Sequence, residues 1–126
     1  MTPKQLVDTT SCDHAEMAGL VESLRAALNS ADRDLMQSLL TKLLIVEVRH
    51  YATEETLMRA VAYDQADAHR REHAAMVDTL RRIIETLVVE NLASVSPQVV
   101  AHLETALAHM INADRALNHF VSASTG

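Results

Sequence analysis

Seven residues of the kinds that bind metals recur along the chain at spacings that suit helices. They are five histidines and two carboxylates: His14, His50, Glu54, His69, His73, His109 and Asp114. Residues four apart in an α-helix lie about 40° apart around its axis, so His50/Glu54 and His69/His73 each share one helix face. His14 and His109 each lie 36 residues from a ligand-type residue on a neighbouring helix, far enough for the chain to rise along one helix and return along the next. The pattern predicts four helices whose polar side chains meet in one interior.

A bound metal would explain why so many ionisable groups share that interior. Burying them unpaired costs several kcal/mol each. Imidazole suits Fe, Zn, Cu and Ni, whereas carboxylates bridge hard cations well. Seven ligands are too many for one tetrahedral zinc and too few to fill two octahedra, so two irons bridged by Glu54 and Asp114 would keep one position open. Asp114 is the weakest member by geometry, because five residues correspond to about 140° of helix rotation from His109.

Composition favours an all-α fold and excludes several functions. Aromatic residues make up 2% of the chain, and Gly and Pro number two each, whereas strands favour aromatic residues and turns need Gly and Pro. The formal charge of −6 without a basic stripe argues against nucleic-acid binding. The sequence begins without an apolar leader, its apolar runs are too short to span a membrane, and Cys12 is the only cysteine. We expect one cytoplasmic domain over 1–126, with no membrane partner.

Short connections between the helices favour an antiparallel four-helix bundle with up-down-up-down topology. Thr10 or Ser11 is expected to cap the first helix, and Ser96 before Pro97 has the pattern of an N-cap followed by a proline at the first helical position. The predicted helices span about 11–28, 33–61, 66–91 and 97–119, so that the ligand-bearing bundle covers 11–119, and a frayed tail follows at 120–126.

The seven residues resemble the ligand set of the hemerythrins, the non-haem di-iron oxygen-binding four-helix bundles. The motifs His, His-x3-Glu, His-x3-His and His-x4-Asp occur here as DH at 13–14, HYATEE at 50–55, HRREH at 69–73 and HMINAD at 109–114. The resemblance covers residues 13 to about 118 and implies two iron ions with an oxo or hydroxo bridge. It implies that one iron is held by His14 and His50 and binds O2. It implies that the other iron is held by His69, His73 and His109. Both carboxylates, Glu54 and Asp114, would bridge the two irons.

Some neighbouring residues depart from what the resemblance leads us to expect. Glu47 would add a carboxylate on the open side of the two-histidine iron, where oxygen-carrying relatives prefer an uncharged residue. Ala106 replaces the usual bulky leucine over the O2 pocket, and Thr105 stands where an aromatic residue is common. His102, two turns before His109, lies on nearly the same helix face. The expected pocket set, including residues with a catalytic role, is Glu47, Ala106, Thr105, His102, Tyr51, Met17 and Met110.

Two interpretations of Glu47 are open at this point. It either reaches solvent or pairs with an arginine from another helix, or it acts as a base, proton donor or third carboxylate ligand in an enlarged pocket. The first functional hypothesis is accordingly O2 binding for storage or delivery, and the second is an oxidase or oxygenase acting on a small molecule. A sensor of O2, nitric oxide or redox state is a third. Glu55 is expected to face solvent, and a monomer is expected to suffice because one chain supplies every ligand.

Overall fold

Four long helices follow one another in the computed structural model, which describes residues 1–125. They are α1 (Pro3–Ser30), α2 (Arg33–Ala60), α3 (Ala66–Val89) and α4 (Leu92–His109), the last of which is continued by a π-helical turn (Met110–Asp114) and α5 (Arg115–Thr125). Each helix packs on the next, and α4 closes back on α1. The predicted all-α four-helix bundle is confirmed, and the predicted bounds of α2 and α3 agree to within two residues. Within the described residues, no helix is long and apolar enough to span a membrane.

The predicted start of α1 is wrong, because the helix begins at Pro3 rather than near Ser11. Thr2 and Gln5 form a capping box: the Thr2 hydroxyl accepts from the Gln5 backbone N–H at 3.1 Å, and the Gln5 side chain accepts from the Thr2 N–H at 2.7 Å. A capping box followed by proline at the first helical position is a strong start signal. Thr10 instead lies inside the helix, where its hydroxyl donates to the Val7 carbonyl.

The predicted start of α4 is also wrong. Asn91 is the N-cap, and its side chain accepts from the Ser94 backbone N–H at 2.8 Å. Pro97 therefore lies inside the helix, and the Ser96 hydroxyl donates to the Leu92 carbonyl rather than capping. The cap asparagine satisfies the helix end five residues earlier than the serine would.

Two apolar clusters enclose the polar centre from the two ends of the bundle. The larger lies between the C-terminal halves of α1 and α3 and the N-terminal halves of α2 and α4, and it contains Leu24, Leu43, Leu80 and Leu103 among others. The smaller joins the start of α1 to the end of α2 and to α5, and comprises Leu6, Leu57, Met58, Leu117 and Val121. The smaller cluster explains why 120–125 is helical instead of frayed as expected; Gly126 lies outside the described residues.

Candidate metal centre

The seven residues identified from their spacing converge in the middle of the bundle. Their donor atoms form two groups in which every atom lies within 4.8 Å of the others: Glu54, His69, His73, His109 and Asp114 form one, and His14, His50, Glu54 and Asp114 the other. The two groups share both carboxylates. Six of the seven residues are buried, and the His14 side chain is 23% exposed. The cluster is a candidate metal-ion site.

Asp114 lies between the two sets of imidazoles, with one carboxylate oxygen facing each set. Its Oδ2 is 2.7 Å from His14 Nε2 and 3.4 Å from His50 Nε2. Its Oδ1 is 3.1 Å from His69 Nε2 and 2.9 Å from His109 Nε2. A carboxylate with this arrangement can bridge two cations.

Glu54 lies close to three of the five imidazoles. Its Oε1 lies 3.1 Å from His69 Nε2, 3.0 Å from His73 Nε2 and 3.5 Å from His50 Nε2. Its Oε2 is buried and has no hydrogen-bond partner among residues 1–125. An orphaned, buried carboxylate oxygen is costly unless a cation satisfies it. The residues present therefore fit a bound metal.

The π-helical turn explains how Asp114 reaches the cluster. In an α-helix, the fifth residue after His109 would point well away from it. The π turn at Met110–Asp114 replaces the i+4 repeat by an i+5 repeat, which returns Asp114 to the face that carries His109. The sequence analysis identified Asp114 as a ligand but rated it the weakest by geometry, because it lies five residues from His109. The extra residue in the π turn accounts for that spacing.

The electrostatics of the cluster favour charged forms despite burial. Burial alone would raise the pKa of Asp114, but hydrogen bonds with His109, His14 and His50 hold it well below its usual value. The same competition lowers the pKa of Glu54, through hydrogen bonds with His69 and His73. Burial alone would lower the pKa of His69, but hydrogen bonds with Asp114 and Glu54 outweigh it and raise the pKa to about 9. Protons and cations therefore compete for the same lone pairs.

Three further carboxylates face the Nδ1 atoms of three imidazoles, on the side of each ring away from the cluster centre. The sequence analysis did not assign these carboxylates to the site. Glu72 Oε2 lies 2.8 Å from His109 Nδ1, and Glu55 Oε2 lies 3.4 Å from His73 Nδ1. Asp13 Oδ2 lies 3.4 Å from His50 Nδ1, and the other Asp13 oxygen accepts from Arg49 at 2.9 Å. Carboxylates in this position orient metal-binding imidazoles and raise their basicity. The expectation that Glu55 faces solvent is wrong, because its side chain is half-buried against His73.

The family model described as Hemerythrin HHE cation binding domain matches residues 5–116. The chain belongs to this family. It is also similar to a myohemerythrin from Theromyzon tessulatum, with 25% identity over 89 residues, which cover 71% of this chain and 72% of that protein. No solved structure matches the chain.

Glu47 distinguishes this hemerythrin-domain chain from the expected pattern, but not in the way the sequence suggested. Its side chain is fully buried and belongs to neither group of clustered donor atoms. Oε2 lies 2.8 Å from His102 Nε2, and Oε1 accepts from the Tyr51 hydroxyl at 3.3 Å. Neither solvent nor an arginine is its partner, so that expectation is wrong. We refer to Tyr51, Glu47 and His102 as the buried polar triad.

The other expected pocket residues lie on different surfaces of the bundle. Ala106 and Met17 are buried with 1% exposure each, and Met110, the first residue of the π turn, is half-buried. Thr105 is exposed and borders two clefts between α3 and α4, one of which is also lined by His109. Its hydroxyl donates to the Ala101 carbonyl.

Proposed function

We propose that this hemerythrin domain binds O2 at a pair of iron ions held by the seven clustered residues. His14 and His50 would hold one iron, and His69, His73 and His109 the other, with Glu54 and Asp114 between them. Reduced iron would supply the electrons that make O2 binding favourable. The protein supplies five imidazoles, two shared carboxylates and an enclosure capped by apolar clusters.

The observation that carries this proposal is the division of the Asp114 carboxylate between two sets of imidazoles. A single tetrahedral zinc takes four ligands and would leave the remaining buried imidazoles and carboxylates unsatisfied. Two cations, by contrast, use both carboxylates and all five imidazoles. The two-histidine group has fewer ligands than the three-histidine group, so an iron held by His14 and His50 would be the one able to take O2. His14 is also the most exposed member of the cluster.

Elemental analysis and visible spectroscopy test the proposal together. We expect two irons per chain after anaerobic loading, and a new visible absorption band when O2 is admitted that disappears when O2 is removed. His73→Ala should lose iron and the band, whereas His119→Ala, at an exposed histidine outside the cluster, should keep both. One zinc per chain with no response to O2 would overturn the proposal.

The second candidate function is an oxidase or oxygenase that acts on a small molecule. The observation in its favour is a cleft of about 430 Å³ between α3 and the π turn, lined by His109, Glu72, Asn112 and small side chains such as Ala108. A substrate there would lie directly beside a cluster imidazole. Ala108→Leu should slow turnover of such a substrate without changing iron content. Reversible binding of O2 over many cycles would instead favour storage or delivery.

A further inference from the structure

Tyr51 is a buried phenol in direct contact with the metal-binding cluster. It is one of two tyrosines in the chain, and 3% of it is exposed. Its ring stacks on the imidazole of His73, with centroids 4.0 Å apart and planes 9° from parallel. Its hydroxyl donates to Glu47 Oε1 at 3.3 Å and lies 3.5 Å from Met76 Sδ. The phenol therefore contacts a cluster imidazole with its face and a carboxylate with its hydroxyl.

The carboxylate of Glu47 is held in place by a second donor. His102 Nε2 lies 2.8 Å from Oε2, so Oε1 remains directed at the Tyr51 hydroxyl. His102 in turn borders a cleft of about 350 Å³ between α3 and α4, lined by small side chains such as Ala101 and Thr105. The triad thus extends from this cleft through the bundle interior to the imidazole of His73.

Stability does not account for the triad. Replacing both partners of a buried hydrogen bond by apolar groups of similar shape is often nearly neutral or stabilising, and a phenylalanine would stack on His73 as well as a tyrosine does. The hydroxyl of Tyr51 and its carboxylate partner are therefore the features that need a functional explanation.

We propose that Tyr51 is a one-electron donor to the metal centre, with Glu47 as the acceptor of its phenolic proton and His102 as the residue that positions Glu47. This inference rests on the proposed function, because the oxidant would be the fraction of cluster iron that O2 oxidises irreversibly. The O–H bond of Tyr51 breaks, its electron would reduce that iron by one electron across the stacked His73 ring, and its proton moves to Glu47 Oε1. The products on the protein are a neutral tyrosyl radical and a neutral carboxyl group, and one electron from a reductant, with return of that proton, restores the tyrosine.

The surroundings of the hydroxyl favour this coupled step over simple ionisation. Tyr51 is 3% exposed, and its hydroxyl lies against Glu47 Oε1 and Met76 Sδ. Because the hydroxyl is shut off from solvent, oxidation of the phenol must transfer its proton to a neighbouring base. Among the described residues, the hydroxyl's carboxylate partner is Glu47.

Freeze-quench electron paramagnetic resonance of the iron-loaded protein tests the proposal. We expect a tyrosyl radical signal after anaerobic reduction and exposure to O2, and a narrower signal when the protein carries ring-deuterated tyrosine. Tyr51→Phe should abolish the signal, whereas Tyr63→Phe, at the other tyrosine, should leave it unchanged. A signal that is lost in Tyr63→Phe and persists in Tyr51→Phe would overturn the proposal. Absence of any radical in protein with normal iron content and a normal visible response to O2 would also overturn it.

The role of Glu47 needs its own comparison. Glu47→Gln should lower the radical yield by about tenfold, because an amide is a poor proton acceptor and a hydrogen bond to a charged group is worth more than a neutral one. Glu104→Gln, at an exposed glutamate of α4, should leave the yield unchanged. Equal yields in these two variants would refute the assignment of Glu47 as the proton acceptor.

A photochemical oxidant separates a failure of this inference from a failure of the proposed function. In the Tyr63→Phe protein, Tyr51 is the sole tyrosine, and photogenerated ruthenium(III) can oxidise it whether or not the iron responds to O2. We expect a radical whose yield again depends on Glu47. Lack of a radical under these conditions would count against Tyr51, whereas lack of a spectral response to O2 would count only against the proposed function.

Discussion

Asp13, Glu55 and Glu72 each lie next in the sequence to one residue of the cluster, but each contacts an imidazole from the following helix. Asp13, beside His14, faces His50 on α2. Glu55 on α2 faces His73 on α3, and Glu72 on α3 faces His109 on α4. Each of the first three helices thus contributes ligands to the centre and orients an imidazole of the following helix. This arrangement fixes the orientation of three of the five rings, those of His50, His73 and His109.

Replacing Asp13 should therefore weaken metal binding without removing a ligand. Asp13→Asn deprives His50 of its carboxylate partner, and loss of such a partner commonly costs about 10- to 100-fold in metal affinity. The iron held by His14 and His50 should be lost first, which competitive chelator titration can measure. Glu16→Gln is the matched control, because Glu16 also contacts Arg49 but is exposed. Equal losses of affinity in both variants would show that Arg49, rather than the contact with His50, is responsible.

The seven clustered residues could be predicted from the sequence, but their partners could not. Spacing of four residues places two side chains on one helix face whatever the neighbouring helix does. A contact such as Glu72 to His109 depends instead on how α3 and α4 are rotated against each other, and helical periodicity does not fix that rotation. One signal in the sequence could have indicated these partners, because Asp13, Glu55 and Glu72 each lie next to a ligand residue. The partner of Glu47, His102, could not be predicted for the same reason.

The π turn can be regarded as one extra residue accommodated within an otherwise regular helix. Deleting Ile111, which is 59% exposed, should convert the turn to α-helix and leave His109 and the aspartate four apart, still on one face. We expect iron stoichiometry and helical content to be retained. Deleting Ala101 from α4 should instead rotate one part of the helix by about 100° relative to the other and abolish iron binding. Iron loss on deletion of Ile111 would mean that the π geometry itself is required.

Two connections between helices use alanine in the left-handed backbone region, where glycine is favoured. Ala31, after α1, has φ 56°, and Ala62, after α2, has φ 52°. Ala31→Gly should stabilise the protein by about 0.5–1 kcal/mol, because glycine adopts this conformation without the steric cost of a Cβ. The same change at Ala18, exposed within α1, should destabilise it by about 1 kcal/mol. Urea unfolding of both variants measures the difference, and a loss of stability at Ala31 would contradict the prediction.

The errors in helix bounds came from competing start signals. Thr10 or Ser11 was expected to cap α1, and Ser96 was expected to cap α4. In the structure, the Thr2 capping box and the Asn91 cap start their helices earlier. Both the Thr2 capping box and the Asn91 cap can be recognised in the sequence. The gain from the earlier start of α1 depends on packing against α5, which no local pattern reveals.

Across the whole molecule, the bundle separates a polar centre from two apolar ends. The fold class was predictable because helical periodicity and the near absence of glycine and proline agree over most of the chain. The buried polar triad could not be predicted, since Glu47 and His102 are 55 residues apart and meet only after α2 and α4 pack together. The enclosure matters for function, because a low-dielectric surrounding makes each unpaired charge in the centre costly and so strengthens the coupling between metal binding and folding.

That coupling gives the metal-free protein a distinctive dependence on pH. The pKa of His69 rises to about 9 on folding, so its contribution to stability is complete below its unfolded pKa of about 6.5 and is lost as pH rises through 9. The lowered pKa values of Glu54 and Asp114 have the opposite consequence, since their contribution is lost as pH falls through their folded pKa values. The metal-free bundle should therefore lose about 1–3 kcal/mol of unfolding free energy between pH 6.5 and pH 9.

Metal should reverse this trend, because iron binds the deprotonated imidazoles that high pH supplies. Urea unfolding of chelator-treated and iron-loaded protein at pH 6.5 and pH 9 measures both slopes. His69→Gln should flatten the slope of the metal-free protein, whereas His119→Gln, at an exposed histidine outside the cluster, should leave it unchanged. If unmodified metal-free protein is equally stable at both pH values, the imidazoles of the empty cluster are not held protonated by Glu54 and Asp114. Binding of metal would then not have to displace their protons.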